Sequence, residues 1–209
     1  NLTSKYVGGR IYEIDIVSLE PRIMCKITRD EEYKDIYDHV SKNVIDNSYE
    51  SKNVKLGLIS TLYGAKEDTV KKLSGLSKDA VSKIREWFKV DQLNKMLSDQ
   101  YEANQKITNF YGRNVYSKSS LINHFVQFSA VYSTMIGFYN YINASPSGID
   151  LIAIIHDAII VDVHPDNFNF IDNTYYVKDN VMNIKLPIKK EVLSWRKKEY
   201  KKRWEAVLE

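Results

Sequence analysis

The chain lacks several features that mark common protein classes. It has one cysteine, Cys25, among 209 residues, which excludes an intramolecular disulfide and a multi-cysteine zinc site. Eight glycines and four prolines against 15 tyrosines argue against a low-complexity or disordered chain. No apolar run approaches the roughly 20 residues that a membrane helix needs, and no signal-peptide pattern opens the chain. We therefore expect a cytoplasmic protein without a membrane partner.

The chain also lacks a strong excess of charge of either sign. The formal net charge is +3, which is too small to indicate a nucleic-acid partner by itself. Lysines and arginines concentrate from Lys185 onward. Within this segment the run of Lys197, Lys198, Lys201, Lys202 and Arg203 predicts a solvated helix face, with contact to a duplex backbone or a partner as the alternative. The first residue is Asn1 rather than Met, so we expect a segment of a longer polypeptide.

Local sequence patterns predict an α+β protein with few strands and many helices. β-branched and aromatic residues indicate strands, and apolar residues at helical spacing indicate helices. In chain order the patterns are a strand at 9–18, a helix from Glu20 onward, a helix at 47–65, helices within 66–107, short strands about a turn at 110–117, a long apolar helix at 120–142 and a buried hairpin at 151–165. Asn47 and Ser77 are expected to cap helices, and Gly64 is expected to end one.

Two carboxylates fall where a strand or a turn would hold them. His156 and Asp157 interrupt the apolar hairpin, and Asp15 comes near the end of the first strand. Each Asp alone also suits an ordinary turn or cap. A carboxylate in an apolar setting is costly, however, unless a partner or a metal compensates its charge.

The helix at 47–65 carries a cation and an aromatic ring on one face. Lys55, Ile59 and Tyr63 recur at intervals of four residues, which places them in one row along the helix. Lys neutralises phosphate oxygens, Tyr stacks on a base or a sugar, and paired Asp residues hold Mg²⁺. Together with the two carboxylates, this face predicts a site for a metal-bound polyphosphate that carries a ring.

Four short motifs stand in order along the chain: DIVSLEPRI at 15–23, KLGLISTLYG at 55–64, Asn123 with Gln127, and IHDAII at 155–160. They resemble motifs of family A DNA polymerases, the DNA polymerase I-like enzymes of bacteria and phages. DIVSLEPRI is similar to the first motif of the family, KLGLISTLYG to its fingers-helix motif and IHDAII to its third motif, while an Asn and a Gln four residues apart match a polar pair on a palm helix. The matching residues are Asp15, Glu20, Arg22, Lys55, Tyr63, Gly64, Asn123, Gln127, His156 and Asp157.

Three positions depart from the family pattern. Ser51 stands where an Arg usually precedes the fingers-helix Lys, which would leave the triphosphate with one cationic contact fewer. Ile59 replaces a usual aromatic residue, and this change should alter sugar contacts. Ala158 replaces the Glu that usually follows the third-motif Asp. The two aspartates that the resemblance implies as indispensable metal ligands are both present.

The resemblance implies a right-hand polymerase fold of the α+β class. Residues 1–40 and 117–209 would form a palm with an antiparallel sheet, and residues 41–116 would form mostly helical fingers. In this family a thumb and any proofreading exonuclease precede the first motif, and this chain starts only fourteen residues before Asp15. We therefore expect these parts on further polymerase segments or on a separate subunit.

The implied activity is template-directed nucleotidyl transfer from a dNTP to a primer 3′-hydroxyl, with DNA primer-template as the partner. Asp15 and Asp157 would hold two Mg²⁺ ions, for which Mn²⁺ substitutes, in a two-metal mechanism. Lys55 would neutralise the triphosphate, and Glu20 would act as a steric gate against the ribonucleotide 2′-hydroxyl. Repulsion between the aspartates should raise the pKa of one of them in the metal-free site.

The resemblance also assigns contacts to the nucleotide and to the duplex. Tyr63 would stack at the template-primer end, Gly64 would allow a tight turn beneath the base pair, and Ile59 would pack beside the sugar. Asn123 and Gln127 would reach the minor groove of the nascent duplex, although such a pair also suits interhelical hydrogen bonding.

Two matching residues have more local interpretations. His156 would contact the primer terminus, with a turn residue that bonds to the backbone as the alternative. Arg22 is expected to be a structural ion-pair partner, with Glu20 as its carboxylate, rather than a catalyst.

Two other functions remain open from the sequence. YGAKE is close to the single-subunit phage-type RNA polymerases, which also lack Glu after the third-motif Asp, but Glu20 stands where those enzymes have a small residue. The alternative of another class is a catalytically silent palm that binds DNA or assembles with other subunits. Retention of Asp15, Asp157 and Lys55 argues against a silent protein, since clustered charges at metal spacing would have no use there.

Overall fold

An antiparallel sheet of five strands forms the centre of the protein. In the computed structural model, which describes residues 3–45 and 48–193, the strands lie in the spatial order β4-β5-β1-β7-β6. Every neighbouring pair is antiparallel. The strands are β1 Arg10–Ile16, β4 Ile149–Ile155, β5 Ala158–Val163, β6 Tyr176–Asp179 and β7 Ile184–Val192.

Eight α-helices and a small two-stranded ribbon complete the described part of the chain. The helices are α1 Leu19–Arg29, α2 Ile36–Asn43, α3 Ser51–Leu62, α4 Glu67–Ser74, α5 Lys78–Trp87, α6 Val90–Asn104, α7 Leu121–Ala144 and α8 Phe168–Asn173. The ribbon pairs β2 Ile107–Thr108 with β3 Asn114–Val115, and a short 3₁₀ turn spans Pro165–Asn167. The prediction of an α+β protein is confirmed.

The transition from β1 to α1 fixes the direction of the first functional motif. β1 turns Ile14 and Ile16 into the core, so that Asp15 faces the opposite side of the sheet. Ser18 then adopts a left-handed backbone conformation with φ 57°, and α1 begins directly after it. Because the reversal takes so few residues, Glu20 in the first helical turn stays close to the strand end that carries Asp15.

The long apolar helix predicted at 120–142 is confirmed as α7. One side of it buries large side chains, among them Phe125, Val126 and Phe138, and it packs on α1 and on β6. A helix with so few charges stabilises the fold mainly through this tertiary burial rather than through helix propensity. α7 thus packs against α1, on which Glu20 and Arg22 of the first motif lie.

The helical region after β1 confirms some predicted ends and corrects others. Ser77 caps α5 by accepting a hydrogen bond from the Ala80 amide at 3.1 Å, as the sequence predicts. Gly64 follows the end of α3 with φ 78°, which also agrees with the prediction. The start of α3 is later than expected, because Glu50 is its N-cap and makes no side-chain cap hydrogen bond. Asn47, the expected cap, lies outside the described residues.

Only one of the two strands of the hairpin at 151–165 is buried. β5 is buried along its whole length, whereas β4 forms the edge of the sheet. The expectation of a fully buried hairpin is therefore wrong for β4, because aliphatic composition does not distinguish an edge strand from a central one. Its exposed aliphatic side chains are Leu151, Ile152, Ile154 and Ile155.

Arg22 is structural, as expected, but its described partners are not the predicted ones. Its buried guanidinium donates to the carbonyl oxygens of Val17 and Lys34, each at 2.8 Å, and to that of Tyr33. The predicted ion pair with Glu20 is not among the contacts of the described residues. Five donors on a rigid fork suit several carbonyls at once. Arg22 thereby ties the segment that leads into α2 to the end of β1.

No helix in the described part of the chain is both long enough and apolar enough to cross a membrane. The structure describes the basic segment that begins at Lys185 only as far as Leu193. Most of this described part belongs to β7. The expected helix face at Lys197–Arg203 lies outside the described residues.

Gly57 provides a test of how α3 packs. In an exposed helix a Gly→Ala change stabilises by roughly 0.5–1 kcal/mol. At Gly57, however, a Cβ would collide with Leu76 Cδ1 and lie 2.9 Å from both Leu76 Cγ and Ser74 Oγ. We expect Gly57→Ala to lower the free energy of unfolding by about 1–3 kcal/mol, measured by urea denaturation. Lys52→Ala on the exposed side of α3 is the control and should stay within about 0.5 kcal/mol. A stabilised Gly57→Ala variant would contradict this packing.

Candidate active site

The sheet brings the two predicted metal-ligand aspartates together. Asp15 on β1 lies opposite Ala158 on β5, so that Asp157 is one residue away across the ladder. The Ile16 amide donates to the main-chain oxygen of Asp157 at 3.1 Å, which locks this register at the strand end. The Asp15 side chain is 19% exposed, and Asp157 is half-buried. Residues 142 positions apart in the sequence therefore form one carboxylate pair.

The hairpin turn itself carries an uncommon backbone conformation. His156 and Asp157 are the two turn residues between β4 and β5, and His156 has φ 54°. A two-residue hairpin with positive φ at its first turn position normally uses Gly there. The exposed His156 side chain occupies that position instead, next to the carboxylate of Asp157. This answers why the ionisable pair interrupts an apolar run, since it lies in a turn and not in the buried part of the hairpin.

Negative charge accumulates at this strand end. Burial raises the pKa of Asp157 above its ordinary value, and the charge of Asp15 raises it further. Glu20 contributes in the same direction, although less strongly. The predicted rise in the pKa of one aspartate is therefore present. Desolvation contributes more to this rise than repulsion between the two carboxylates does. A divalent cation would relieve both effects.

A polar cluster joins α1, α3 and α7 beside the carboxylates. The Tyr63 side chain at the end of α3 makes polar interactions with Glu20 on α1 and with Gln127 on α7. Burial raises the pKa of Tyr63 to about 12, and the charge of Glu20 contributes to the increase. The phenol therefore stays neutral at physiological pH and keeps the proton with which it can donate to the carboxylate.

Tyr37 on α2 belongs to this cluster although no motif indicated it. It is half-buried, interacts with the side chain of Ser18 and lies close enough to Glu20 and Tyr63 to respond to both. Burial is the main cause of its raised pKa. The Lys55 ammonium lies 5.8 Å from the centre of its ring, so that the predicted fingers-helix cation reaches the cluster through Tyr37.

Lys189 is the second site residue that lies outside the sequence motifs. It stands opposite Asp15 in the β1–β7 register, and its Nζ lies 2.6 Å from Asp15 Oδ2. Its only sequence signal is its place in a strand-like segment, IKLPIKKEV, which by itself does not show which residue it faces.

The remaining sequence-predicted residues lie around the cluster rather than at its centre. Ile59 is partly buried against the core, one turn before Tyr63 on α3. Gly64 is exposed, and a Cβ there would meet no atom within 4 Å, so that its φ of 78° is the only local reason for Gly. Asn123 lies one turn before Gln127 on α7, and its side-chain oxygen is buried without a hydrogen-bond partner among the described residues.

The donor set fits a substrate-dependent Mg²⁺ site better than a closed structural one. Within residues 3–45 and 48–193 no group of three or more His, Cys, Asp or Glu side chains is placed to hold a metal ion. Mg²⁺ is commonly bound by one or two carboxylates together with waters and substrate phosphates. The two aspartates provide that number of carboxylates, and their shared excess of negative charge favours a dication.

The fold that this sheet and these helices form is shared with a known protein domain. It is similar to a solved structure, the POL domain of Pol1 from M. smegmatis in complex with DNA primer-template and dNTP, with a TM-score of 0.62 and 13% sequence identity. The similarity covers 91% of this chain and only 40% of that chain. No family model matches the sequence, and neither does any curated protein. At this identity the likeness shows a shared fold, and the activity is a separate question.

The raised pKa of Asp157 predicts a cost in stability that depends on pH. The cost exists while the carboxyl is ionised at neutral pH, and it disappears below about pH 4, where Asp is neutral in the unfolded chain as well. Because the side chain is only partly buried, we expect Asp157→Asn to stabilise the metal-free protein at pH 7 by a few tenths to about 1 kcal/mol. The gain should shrink as the pH falls.

Urea unfolding in EDTA at several pH values measures this difference. Asp99→Asn, at an exposed position on α6, is the control and should show little change at any pH. If Asp157→Asn were less stable than the wild type at pH 7, the ionised carboxylate would stabilise the fold, and the predicted cost of burying it beside Asp15 would be wrong.

Proposed function

We propose that this chain is the catalytic portion of a template-directed DNA polymerase. The observation that carries the proposal is the meeting of Asp15 and Asp157 at one strand end, beside Glu20 and Tyr63, in a fold similar to that of a polymerase domain. The reaction is attack of a primer 3′-hydroxyl on the α-phosphorus of a dNTP, with release of pyrophosphate. Carboxylates, a nearby cation and an oriented sugar contact are what such a transfer requires.

Asp15 and Asp157 would hold two Mg²⁺ ions, or Mn²⁺ in their place. When bound, these ions supply activation of the hydroxyl and stabilisation of the charge on the leaving group. The two aspartates are suited to this role because hydrogen bonding in the β1–β5 ladder fixes their separation before any ligand arrives. Fixed donors lose little conformational freedom when they bind.

Lys55 would bind the triphosphate. Its side chain is exposed on α3 while its ammonium stays near the Tyr37 ring, so that it is free to meet an anion from solvent. The charge is most useful where negative charge develops on pyrophosphate. Ser51, one turn earlier on α3, supplies no second cation. Lys55 would thus carry more of the electrostatic contribution of this helix than the corresponding Lys of the resembled family.

Glu20 would act as the steric gate for the sugar. The interaction of Glu20 with Tyr63 orients its carboxylate across the space between α1 and α3. A 2′-hydroxyl there would meet both the bulk and the charge of the side chain. Ile59 would pack against the sugar without offering a hydroxyl or a ring edge, and Gly64 would let the chain turn beneath the nascent base pair.

The duplex would lie over α7 and the hairpin turn. Gln127 is exposed and already reaches Tyr63, so that it can connect the minor groove with the nucleotide pocket. Asn123, with its unpaired buried oxygen, would use its amide donors toward groove acceptors. His156, held outward by the turn, would contact the primer terminus.

In this proposal residues 1–40 and 117–209 form the palm, and residues 41–116 form the fingers of a right-hand polymerase. A thumb would come from further segments of the polypeptide or from a separate subunit. The coverage of 40% of the similar solved chain agrees with a fragment of a larger enzyme.

Primer extension tests the proposal directly. The full chain should extend a DNA primer with dNTPs and Mg²⁺, by itself or with the polypeptides that accompany it in its host. Asp15→Asn and Asp157→Asn should each lower the rate at least 10²-fold while duplex binding changes little, since the metals serve chemistry and basic residues serve affinity. Asp150→Asn, at the far end of β4, is the control and should extend normally. Activity near the wild-type rate in either site variant would refute the metal assignment.

Selection between deoxyribonucleotides and ribonucleotides distinguishes the proposed DNA polymerase activity from the alternative RNA polymerase activity. We expect Glu20→Ala to raise ribonucleotide incorporation relative to deoxynucleotide incorporation by about tenfold or more, because each tenfold requires only about 1.4 kcal/mol of lost discrimination. Incorporation rates for dNTP and rNTP in wild type and variant measure the change.

Tyr63→Phe is the matched variant for this test. It keeps the ring and removes only the hydroxyl that interacts with Glu20, so it should relax sugar discrimination less than Glu20→Ala does. If the wild-type chain already prefers ribonucleotides, the proposal of a DNA polymerase is wrong, and a phage-type RNA polymerase is the better assignment.

A further inference from the structure

A lysine on β7 contacts one of the two aspartates. β7 pairs with β1 on the side away from the β4–β5 hairpin. Lys189 on β7 pairs in register with Asp15, and its Nζ lies 2.6 Å from Asp15 Oδ2. No sequence motif assigned a role to this residue. It is the only described Lys or Arg that forms a salt bridge with either aspartate.

The alternation of β7 explains why the lysine lies on this face. Ile184, Leu186 and Ile188 point into the core, which directs Lys189 to the side of the sheet where Asp15 lies. Asp15 is paired on its other side with Ala158. Three neighbouring strands therefore place a methyl group, a carboxylate and an ammonium in one cross-strand row.

The site without metal is thus partly neutralised by the protein itself. Asp15, Asp157 and Glu20 bring three carboxylates close together, and Lys189 supplies one opposing charge at contact distance. The lysine side chain is 68% exposed, so its flexible stem can move into solvent at little cost.

We propose that Lys189 is an internal cation of the catalytic centre that competes with the divalent metal for Asp15. The ammonium occupies Asp15 Oδ2 while no metal is bound, and a metal ion that binds Asp15 displaces it into solvent. Lys189 thereby weakens metal binding to the protein alone. The inference rests on the proposed function, since it takes Asp15 as a metal ligand.

Binding of Mn²⁺ to the full chain, without nucleotide or DNA, tests the competition. Free Mn²⁺ is measured by electron paramagnetic resonance at fixed ionic strength. We expect Lys189→Met to bind Mn²⁺ about tenfold more tightly than the wild type, because a unit charge a few ångströms from a dication changes its affinity by roughly that factor in a solvated site. Lys189→Arg, which keeps the charge, should remain within about threefold of the wild type.

Lys185→Met is the matched control for loss of charge. Lys185 lies on the same face of β7, but its ammonium is 5.1 Å from the centre of the Tyr176 ring rather than beside Asp15. It should change Mn²⁺ affinity less than twofold. Circular dichroism confirms that each variant is folded. The double variant Asp15→Asn with Lys189→Met should lose the gain, because the contested ligand is then absent.

The outcomes separate this inference from the proposed function. If Asp15→Asn abolishes Mn²⁺ binding but Lys189→Met binds no more tightly than Lys185→Met, the metal site stands and the competition is refuted. If Asp15→Asn leaves Mn²⁺ binding unchanged, Asp15 is not a ligand, and both the metal assignment and the competition are overturned.

Discussion

The pairing of β1 with β5 is the constraint on which the rest of the candidate site depends. It places Asp15 one residue from Asp157 across a hydrogen-bonded ladder, and the Ile16 amide fixes the last step of that ladder. Two carboxylates would separate if the backbone allowed it. Here the strands hold them, and their repulsion adds to the larger effect of burial in raising the pKa of Asp157. In the proposed function this pair, held in place by the strands, would favour binding of a dication.

The helices contribute by closing a polar cluster around this pair. Glu20 begins α1 immediately after the strand, and Tyr63 at the end of α3 meets both Glu20 and Gln127. Arg22 fixes the segment before α2 through main-chain carbonyls, and this brings Tyr37 beside Lys55. Side chains from α1, α2, α3 and α7 thus form one cluster, and Glu20 connects it to the carboxylates of the sheet. A change in the packing of any one helix would therefore move a group in the site.

Two positions that differ from the resembled family, Ala158 and Ile59, lie near residues that change the charge and shape of the site. Ala158 removes a carboxylate from the row across β5, β1 and β7, while Lys189 adds a cation to the same row. Ile59 removes an aromatic ring from α3, while the ring of Tyr37 lies near Lys55 from a different helix. Both additions come from segments outside the recognised motifs. The electrostatics of the site therefore differ from what the motifs alone imply.

The sequence by itself determined the features that depend on near neighbours in the chain. The apolar periodicity of α7, the cap at Ser77 and the helix stop at Gly64 are local effects of side-chain pattern and backbone preference. The motif spacing also selected Asp15 and Asp157, because the pattern is carried by short segments. How these segments approach one another was expected only through the resemblance.

Only the tertiary structure decided the contacts that depend on strand order and helix packing. The exposure of β4 follows from its position at the sheet edge, which aliphatic composition cannot show. The carbonyl partners of Arg22, the approach of Tyr37 to Glu20 and the ion pair of Lys189 with Asp15 are likewise set by long-range pairing. A lysine in a strand has the same local pattern whichever carboxylate lies opposite, so register alone made Lys189 part of the site.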